Sequence, residues 1–164
     1  TCTGGGMGGT PYCFGDGTYG KCPCNNYGAP GRGCASSFDP TGARVDSSGL
    51  ASLSADTLLL SADGVGIGSS FFSQGTIQSN WGVGSVFGDG LKCAGGTTIR
   101  LGNMIAVGGT SQYPNAGDSS ISVKGLIPAP GTQRVYQARY RNASAFCTAE
   151  TFNTTNGILV TWVP

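Results

Sequence analysis

The chain has no histidine among its 164 residues, and Asp, Glu, Lys and Arg together make up only 10% of it. The lack of histidine removes the residue on which most catalytic zinc sites and most serine or cysteine nucleophiles depend. The net charge is +1 and the basic residues are scattered, so no footprint for nucleic acid is present. No apolar run in the sequence approaches the roughly 20 residues of a membrane span.

Other catalytic patterns are missing as well. The eight carboxylates stand mostly in Gly- or Ser-rich turns, where Asp is expected anyway, and the sequence singles out no glycosidase-like pair. No lysine lies in a Ser-x-x-Lys arrangement. The Gly-rich stretch at 4–9 lacks the Gly-Lys-Ser/Thr that completes a phosphate-binding loop. We therefore expect neither an enzyme nor a bound cofactor.

Cysteine, by contrast, is abundant, with seven residues in the chain. The segment 13–34 reads C-x8-C-x-C-x9-C, which matches no common zinc or iron–sulfur spacing, and Cys22-Pro23-Cys24 is not a C-x-x-C redox motif. We predict disulfides, no metal site, and an extracellular or cell-surface location. Within this segment two pairings stay open: Cys13–Cys24 with Cys22–Cys34, or Cys13–Cys22 with Cys24–Cys34.

Glycine, at 30 residues, combines with period-2 apolar patterns to predict strands joined by tight turns. The strand predictions are 56–61, 69–74, 97–106, 119–124, 133–141 and 157–163. They indicate an all-β fold, a jelly-roll-like antiparallel β-sandwich of about eight strands without an amphipathic helix. We divide the chain into a Gly-rich tail (1–12), a disulfide-rich, turn-rich segment (13–34) and the sandwich (35–164), the last two forming one compact domain.

The alternation also assigns side chains to faces. In 97–106, Ile99, Leu101 and Ile105 are expected to share one face. In 133–141, Tyr136, Ala138 and Tyr140 are expected to point inward, with Gln137, Arg139 and Arg141 pointing outward.

The phrase Phe-Gly-Asp-Gly occurs twice, at 14–17 and 87–90, each time near a cysteine. Asp-Gly is a strong hairpin signal because glycine adopts a positive φ at little cost. A calcium site is the weaker alternative, since each phrase offers a single carboxylate. We expect two turns that are fixed by neighbouring disulfides.

Two features of the sequence point to sugars. Asn142 and Asn153 begin N-x-Ser/Thr sequons, and we predict covalent glycans at one of them or in the Ser/Thr-rich turns. Trp81, Trp162 and the tyrosines can provide a sugar-stacking platform, although aromatic residues in strands more often pack in the core.

Several longer phrases, "YCFGDG…CPCNNYGAPGRGC", "FGDGLKCAGG", "RVYQARYRNASAFC" and "FNTTNGILVTW", resemble a secreted domain of environmental bacteria over residues 12–163. The chain is also similar to subunits of glycan-coated extracellular fibrils. The resemblance implies a β-sandwich with six paired cysteines and no catalytic residues. On this chain the six are Cys13, Cys22, Cys24, Cys34, Cys93 and Cys147, and we expect Cys93 to pair with Cys147.

These observations favour a structural subunit of an extracellular helical fibre, whose partners are copies of itself. A secreted carbohydrate-binding or adhesion module is the alternative. Cys2 and Met7 lie in the Gly-rich tail, outside the shared pattern, and we expect them to contact a neighbouring subunit. Because the sequence starts at Thr1 without a leader, we also expect a processed N-terminus.

Overall fold

The computed structural model describes residues 8–164, and antiparallel strands dominate it. In chain order the strands are β1 (Thr10–Tyr12), β2 (Arg44–Ser48), β3 (Leu59–Asp63), β4 (Gly68–Gln78), β5 (Ser85–Phe87), β6 (Gly90–Lys92), β7 (Ala94–Ala106), β8 (Thr110–Tyr113), β9 (Gln133–Arg141), β10 (Phe152–Thr154) and β11 (Gly157–Thr161). A 3₁₀ turn at Ser79–Gly82 follows β4, and a single helical turn, α1, covers Ile121–Lys124. The all-β prediction is confirmed.

The strands form two main sheets and a hairpin. The larger sheet has the order β1-β11-β9-β4-β7, with β10 also paired to β9. The smaller sheet has the order β2-β3-β8, and β5 pairs with β6. All pairings between named strands are antiparallel in the part of the chain that the structure describes.

The two main sheets face each other across one apolar core. The larger sheet contributes Phe72, Tyr136 and Tyr140, and the smaller sheet contributes Val45 and Leu60, all at most 1% exposed. Trp162 closes this core, and its indole N–H donates to the Tyr136 hydroxyl over 3.1 Å. The inward prediction for Tyr136, Ala138 and Tyr140 is confirmed, and the packing of two antiparallel sheets is that of a β-sandwich.

Two sequence-based assignments fail for identifiable reasons. The register of β4 and β7 shifts between Phe72 and Ser73, so an extra residue in β7 interrupts the alternation. Leu101 is therefore buried while Ile105 is 71% exposed, although the two were expected to share a face. The predicted strand at 119–124 is wrong, because α1 occupies it and only Ile121 of its residues enters the core.

A second apolar layer covers the opposite, outer face of the larger sheet. It comprises Tyr12, Cys13, Cys22, Cys34, Leu91, Cys93, Ala94 and Val135, with Leu159 packed against it. Gln137, expected to face solvent, is only 4% exposed beneath this layer. Its amide donates to the carbonyls of Leu91 and Thr155 and accepts from the Cys93 N–H. The Cys-rich segment therefore covers the middle of this outer face and shields it from solvent.

The last residues of the predicted Gly-rich tail form part of the larger sheet. Thr10, Pro11 and Tyr12 pair with β11 of the same chain, and the Tyr12 hydroxyl donates to the Cys93 carbonyl over 2.8 Å. The Gly9 N–H donates to the Ser47 hydroxyl. Residues 8–12 thus belong to the folded domain, although the sequence analysis placed them in the Gly-rich tail.

Candidate functional site

The six cysteines of the expected pattern form three disulfides, Cys13–Cys93, Cys22–Cys34 and Cys24–Cys147. The predicted Cys93–Cys147 bridge is wrong. Cys93 lies beneath the outer layer next to Cys13, whereas the loop after β9 brings Cys147 to Cys24. Of the pairings left open for 13–34, only Cys22–Cys34 forms, because Cys13 and Cys24 bond to distant parts of the chain.

These three bridges indicate an oxidising, extracellular environment. Among residues 8–164, no helix is long and apolar enough to cross a membrane. Within the same residues, no cluster of three or more Cys, Asp or Glu side chains is placed to hold a metal ion.

The two Phe-Gly-Asp-Gly phrases have different structural roles. The second forms the two-residue turn of the β5–β6 hairpin, in which Phe87 pairs with Gly90 and Gly88 has a φ of 60°. A side chain at Gly88 would collide with the ring of Phe152, so glycine is required there. The first phrase makes a turn outside any strand pair, where the Asp16 carboxylate accepts from the Thr18 and Gly31 N–H groups.

Asp89 in the second phrase is completely buried and belongs to a polar network. Its carboxylate accepts from the Asn142 amide (2.6 Å) and from the Thr148 N–H and hydroxyl (2.8 and 2.7 Å). Its carbonyl accepts from the Asn26 amide. The network ties the hairpin to the Cys-rich segment and to the loop that carries Cys147, which is a structural role.

Both sequon asparagines lie inside this region, and the prediction of N-linked sugar on them requires correction. Asn142 is 5% exposed and Asn153 is 0% exposed. The amide nitrogen that would carry the sugar donates to Asp89 in Asn142 and to the Ala35 carbonyl in Asn153. Since a glycan cannot be accommodated on a buried, hydrogen-bonded amide of the folded domain, only the Ser/Thr-rich turns stay as predicted positions.

One open groove lies at the end of the larger sheet where β4 leaves it; we call it the Trp81 groove. It has a volume of about 530 Å³ and is lined by Thr76, Ile77, Gln78, Asn80, Trp81, Gln133, Val135 and Leu159. Trp81 is 96% exposed and Ile77 57%. Asn80 and Trp81 have positive φ angles of 48° and 56°, a conformation that costs a bulky residue about 1–3 kcal/mol. The fold thus presents an indole to solvent at a cost in backbone energy.

A second apolar surface lies at the opposite end of the same strand pair; we call it the apolar end patch. It consists of Ile67, Ile105 and Val107, which are 72%, 71% and 75% exposed. Gly68 pairs with Ala106, so Ile67 and Val107 flank the last paired residues on adjacent strands. Ile105 and Val107 also line a concavity of about 440 Å³ towards β3 and β8.

A third surface, the cation–aromatic groove, crosses β7, β4 and β9 on the outer face. The Arg100 guanidinium lies 3.8 Å from the Phe71 ring centroid, and the Arg139 guanidinium lies 3.6 Å from that of Phe152 and 5.5 Å from that of Phe71. Two adjoining concavities, of about 220 and 310 Å³, share Phe71, Arg100 and Arg139 in their walls. The groove therefore holds two guanidinium groups in place by stacking.

The charges in this groove are uncompensated at short range. Elsewhere Arg32 pairs with Asp63 and Asp39, and Arg44 pairs with Asp46. Among the described residues, no carboxylate oxygen lies within 4 Å of Arg100 or Arg139. Burial lowers the pKa of Arg139, the positive charge of Arg100 lowers it further, and Glu150 acts in the opposite direction.

Comparison of the chain with protein-family models, with curated proteins and with solved structures gives no significant match. The resemblance to fibril subunits therefore stays an expectation drawn from the sequence.

The predicted site residues are distributed unevenly over this structure. Trp162 is buried and is no part of a sugar-stacking platform, whereas Trp81 is exposed. Cys2 and Met7 lie outside the described residues. The sequence analysis missed Arg100 and Arg139 as a pair, although both stand at outward positions of predicted strands. The available signal was an arginine on each of two strands with no acidic residue in the same strand.

Proposed function

We propose that this protein is a structural subunit of an extracellular fibre, assembled from copies of itself by non-covalent contacts and without catalytic activity. One observation carries the proposal. The Trp81 groove and the apolar end patch are different in shape and lie at opposite ends of the β4–β7 strand pair. β4 has 11 residues, and at 3.3–3.4 Å per residue this places the two surfaces roughly 35 Å apart.

Each surface exposes apolar side chains that a neighbouring copy would cover. Trp81 and Ile77 are exposed at the groove, and the end patch offers three exposed branched aliphatic side chains of matching apolar character. Burial of apolar area gains about 25 cal/mol per Å², and aromatic residues contribute strongly at interfaces. Large exposed apolar surfaces of this kind mark interaction sites.

The arrangement favours an open polymer over a closed dimer. A two-fold dimer uses the same patch on both subunits, whereas contact between two different patches leaves one unused patch at each end. Repeated contact then adds subunits indefinitely, and any rotation between neighbours gives a helix.

The low charge of the chain supports dense assembly. Only 17 of its 164 residues are Lys, Arg, Asp or Glu, and the net charge is +1. Long-range repulsion between neighbouring copies is therefore weak. Residues 1–7, with Cys2 and Met7, form an additional contact to the neighbour in this proposal, and the fibre is located at or beyond the cell surface.

The test uses two variants that each remove one surface. Trp81→Ala impairs the groove and Ile105→Asp impairs the end patch. We expect the unaltered chain to form fibres in negative-stain images and each variant alone to stay monomeric. An equimolar mixture of the two variants should form a one-to-one dimer and nothing longer, because one intact groove meets one intact patch.

Val123→Asp is the matched control, since Val123 is 64% exposed, lies on α1 and lines neither surface. This variant should still polymerise. Fibres of normal length from Trp81→Ala and Ile105→Asp would contradict the proposed contact. An unaltered chain that stays monomeric at all concentrations would contradict the function itself.

The alternative function, a carbohydrate-binding or adhesion module, is supported by the 96% exposure of Trp81, because a free indole face is suited to stacking against a sugar ring. A glycan array separates the two functions. If the chain binds neutral glycans, loses that binding in Trp81→Ala and never polymerises, the carbohydrate-binding module is favoured.

A further inference from the structure

The cation–aromatic groove has no part in the proposed assembly, and its chemistry points to a ligand. Arg139 is half-buried, yet none of its guanidinium N–H groups donates to an acceptor among residues 8–164. Arg100 has a single marginal contact, at 3.5 Å, to the Asn103 carboxamide oxygen. The Arg139 guanidinium nitrogens are not among the buried atoms without a partner, so they reach solvent, and donors that are accessible and unpaired within the protein are free to bind an oxyanion.

The two guanidinium groups are also close to each other. Their distances of 3.8 and 5.5 Å to the Phe71 centroid place their central carbons no more than about 9 Å apart, where like charges still repel. An anionic ligand lying across both would replace this repulsion with attraction. Because stacking on Phe71 and Phe152 already fixes both planes, little side-chain entropy would be lost on binding.

The shape and remaining lining of the groove narrow the ligand class. The two adjoining concavities make an elongated surface, and its walls include the hydroxyl-bearing residues Ser69, Ser73, Thr98 and Thr151. Hydroxyl groups at this density suit a chain molecule that itself carries hydroxyl groups. Nucleic-acid bases require free aromatic faces for stacking, whereas guanidinium groups already lie over Phe71 and Phe152.

We propose that the cation–aromatic groove binds an acidic polysaccharide, with Arg100 and Arg139 receiving oxyanion groups of the sugar chain. Carboxylate and sulfate groups share the required chemistry, since both are anionic and present a pair of oxygens that can accept the two parallel N–H groups of a guanidinium fork. Lys92 extends the positive charge to the end of the groove, where it lies 5.9 Å from the Phe87 ring centroid.

The test measures binding by calorimetry with the full, disulfide-bonded chain. The probes are polygalacturonate fragments, dextran sulfate, neutral dextran and an oligothymidylate. We expect binding of the first, the second or both, no binding of neutral dextran, and weaker binding of the oligonucleotide. Preference for one acidic polymer identifies carboxylate or sulfate as the group received.

The variants are Arg100→Gln and Arg139→Gln, with Arg44→Gln as the matched control. Arg44 is exposed and paired with Asp46, so its substitution makes the same change in net charge outside the groove. We expect each groove variant to lose at least about tenfold in affinity and the control to change less than twofold. Arg100 is exposed, so Arg100→Gln keeps the test valid even if Arg139→Gln proves unstable.

Three results would overturn the inference: no binding of either acidic polymer, an equal loss of affinity in Arg44→Gln, or oligonucleotide binding as tight as that of the acidic sugars. The measurements are repeated with Ile105→Asp, which lacks the proposed assembly contact. Polysaccharide binding that persists in this variant separates the groove from self-assembly, so that either proposal can fail alone.

Discussion

The two long disulfides, Cys13–Cys93 and Cys24–Cys147, allow the contribution of packing to be separated from that of chain entropy. When one of these bridges is already formed, forming the other closes a ring that consists of segments 13–24 and 93–147 and the two disulfides. The ring is the same whichever bridge forms last. This ring contains roughly 65 residues, for which the chain-entropy model gives about 4.4 kcal/mol for either bridge. On entropy alone, removal of the two bridges should therefore be equally costly.

Their burial differs, however. Cys13 and Cys93 are 1% and 0% exposed within the outer apolar layer, whereas Cys24 is exposed and Cys147 half-buried. Replacing the buried pair with alanine removes two packed sulfur atoms, at about 1 kcal/mol each. We expect Cys13→Ala/Cys93→Ala to lose about 6 kcal/mol of unfolding free energy and Cys24→Ala/Cys147→Ala about 4 kcal/mol.

The assay is urea unfolding without reductant, followed by the fluorescence of the buried Trp162. If Cys13→Ala/Cys93→Ala fails to fold while the other double variant folds, the buried bridge again contributes more to stability. An equal or larger loss in Cys24→Ala/Cys147→Ala would refute the packing argument. Losses far below about 4 kcal/mol in both would refute the common-ring argument.

Three further predictions concern a buried carboxylate, the buried tyrosines and the N-terminus. Asp89→Asn should lower the free energy of unfolding by about 2–3 kcal/mol in urea, because the new amide would place its own N–H donors in the site where Asn142 donates. Asp16→Asn, the control, should cost under about 1 kcal/mol. Equal losses in the two variants would contradict the assigned role of Asp89. Burial raises the pKa values of Tyr12, Tyr136 and Tyr140 far above the usual 10, so these side chains stay protonated in the folded state and ionise in the unfolded state. Stability should therefore be unaffected by them below pH 10 and fall above it by up to about 4 kcal/mol per pH unit, and a flat stability profile to pH 12 in brief incubations would contradict this. Deleting 1–7 should leave the thermal unfolding midpoint of the domain nearly unchanged and weaken assembly, whereas deleting 1–12 should lower the midpoint by removing β1. Equal midpoints for the two deletions would contradict a stabilising role of β1.

The sequence predicts the elements whose side chains obey a simple period. β9 is the clearest case, because Tyr136, Ala138 and Tyr140 alternate with polar residues and all three enter the core. Alternation fails where the chain adds a residue, as in β7, since one bulge moves Ile105 off the face that it was expected to share with Leu101 and exposes it to solvent. It also fails at 119–124, where a single helical turn needs to bury only Ile121.

The features of the site that the sequence does not predict depend mainly on contacts between residues that are distant in the chain. Cysteine spacing predicts disulfides but does not specify partners, and two of the three bridges join residues 80 and 123 positions apart. Burial of the sequon asparagines depends on Asp89 and Ala35, which are distant in sequence from Asn142 and Asn153. The Arg100–Arg139 pair likewise exists only because β7 and β9 both pair with β4.

The outward side chains of β9 connect the three features of the outer face. Gln133 and Val135 line the Trp81 groove, Gln137 is buried beneath the disulfide-bonded layer, and Arg139 lies in the cation–aromatic groove. The layer therefore separates the Trp81 groove, one of the two surfaces proposed for self-assembly, from the charged surface proposed for polysaccharide. From Val135 to Arg139 the strand extends roughly 13 Å, beyond the distance at which substitutions usually couple. A subunit built in this way can contact its neighbours through the two ends of the β4–β7 strand pair while the cationic groove stays open to a ligand, because the groove shares no residue with either contact surface.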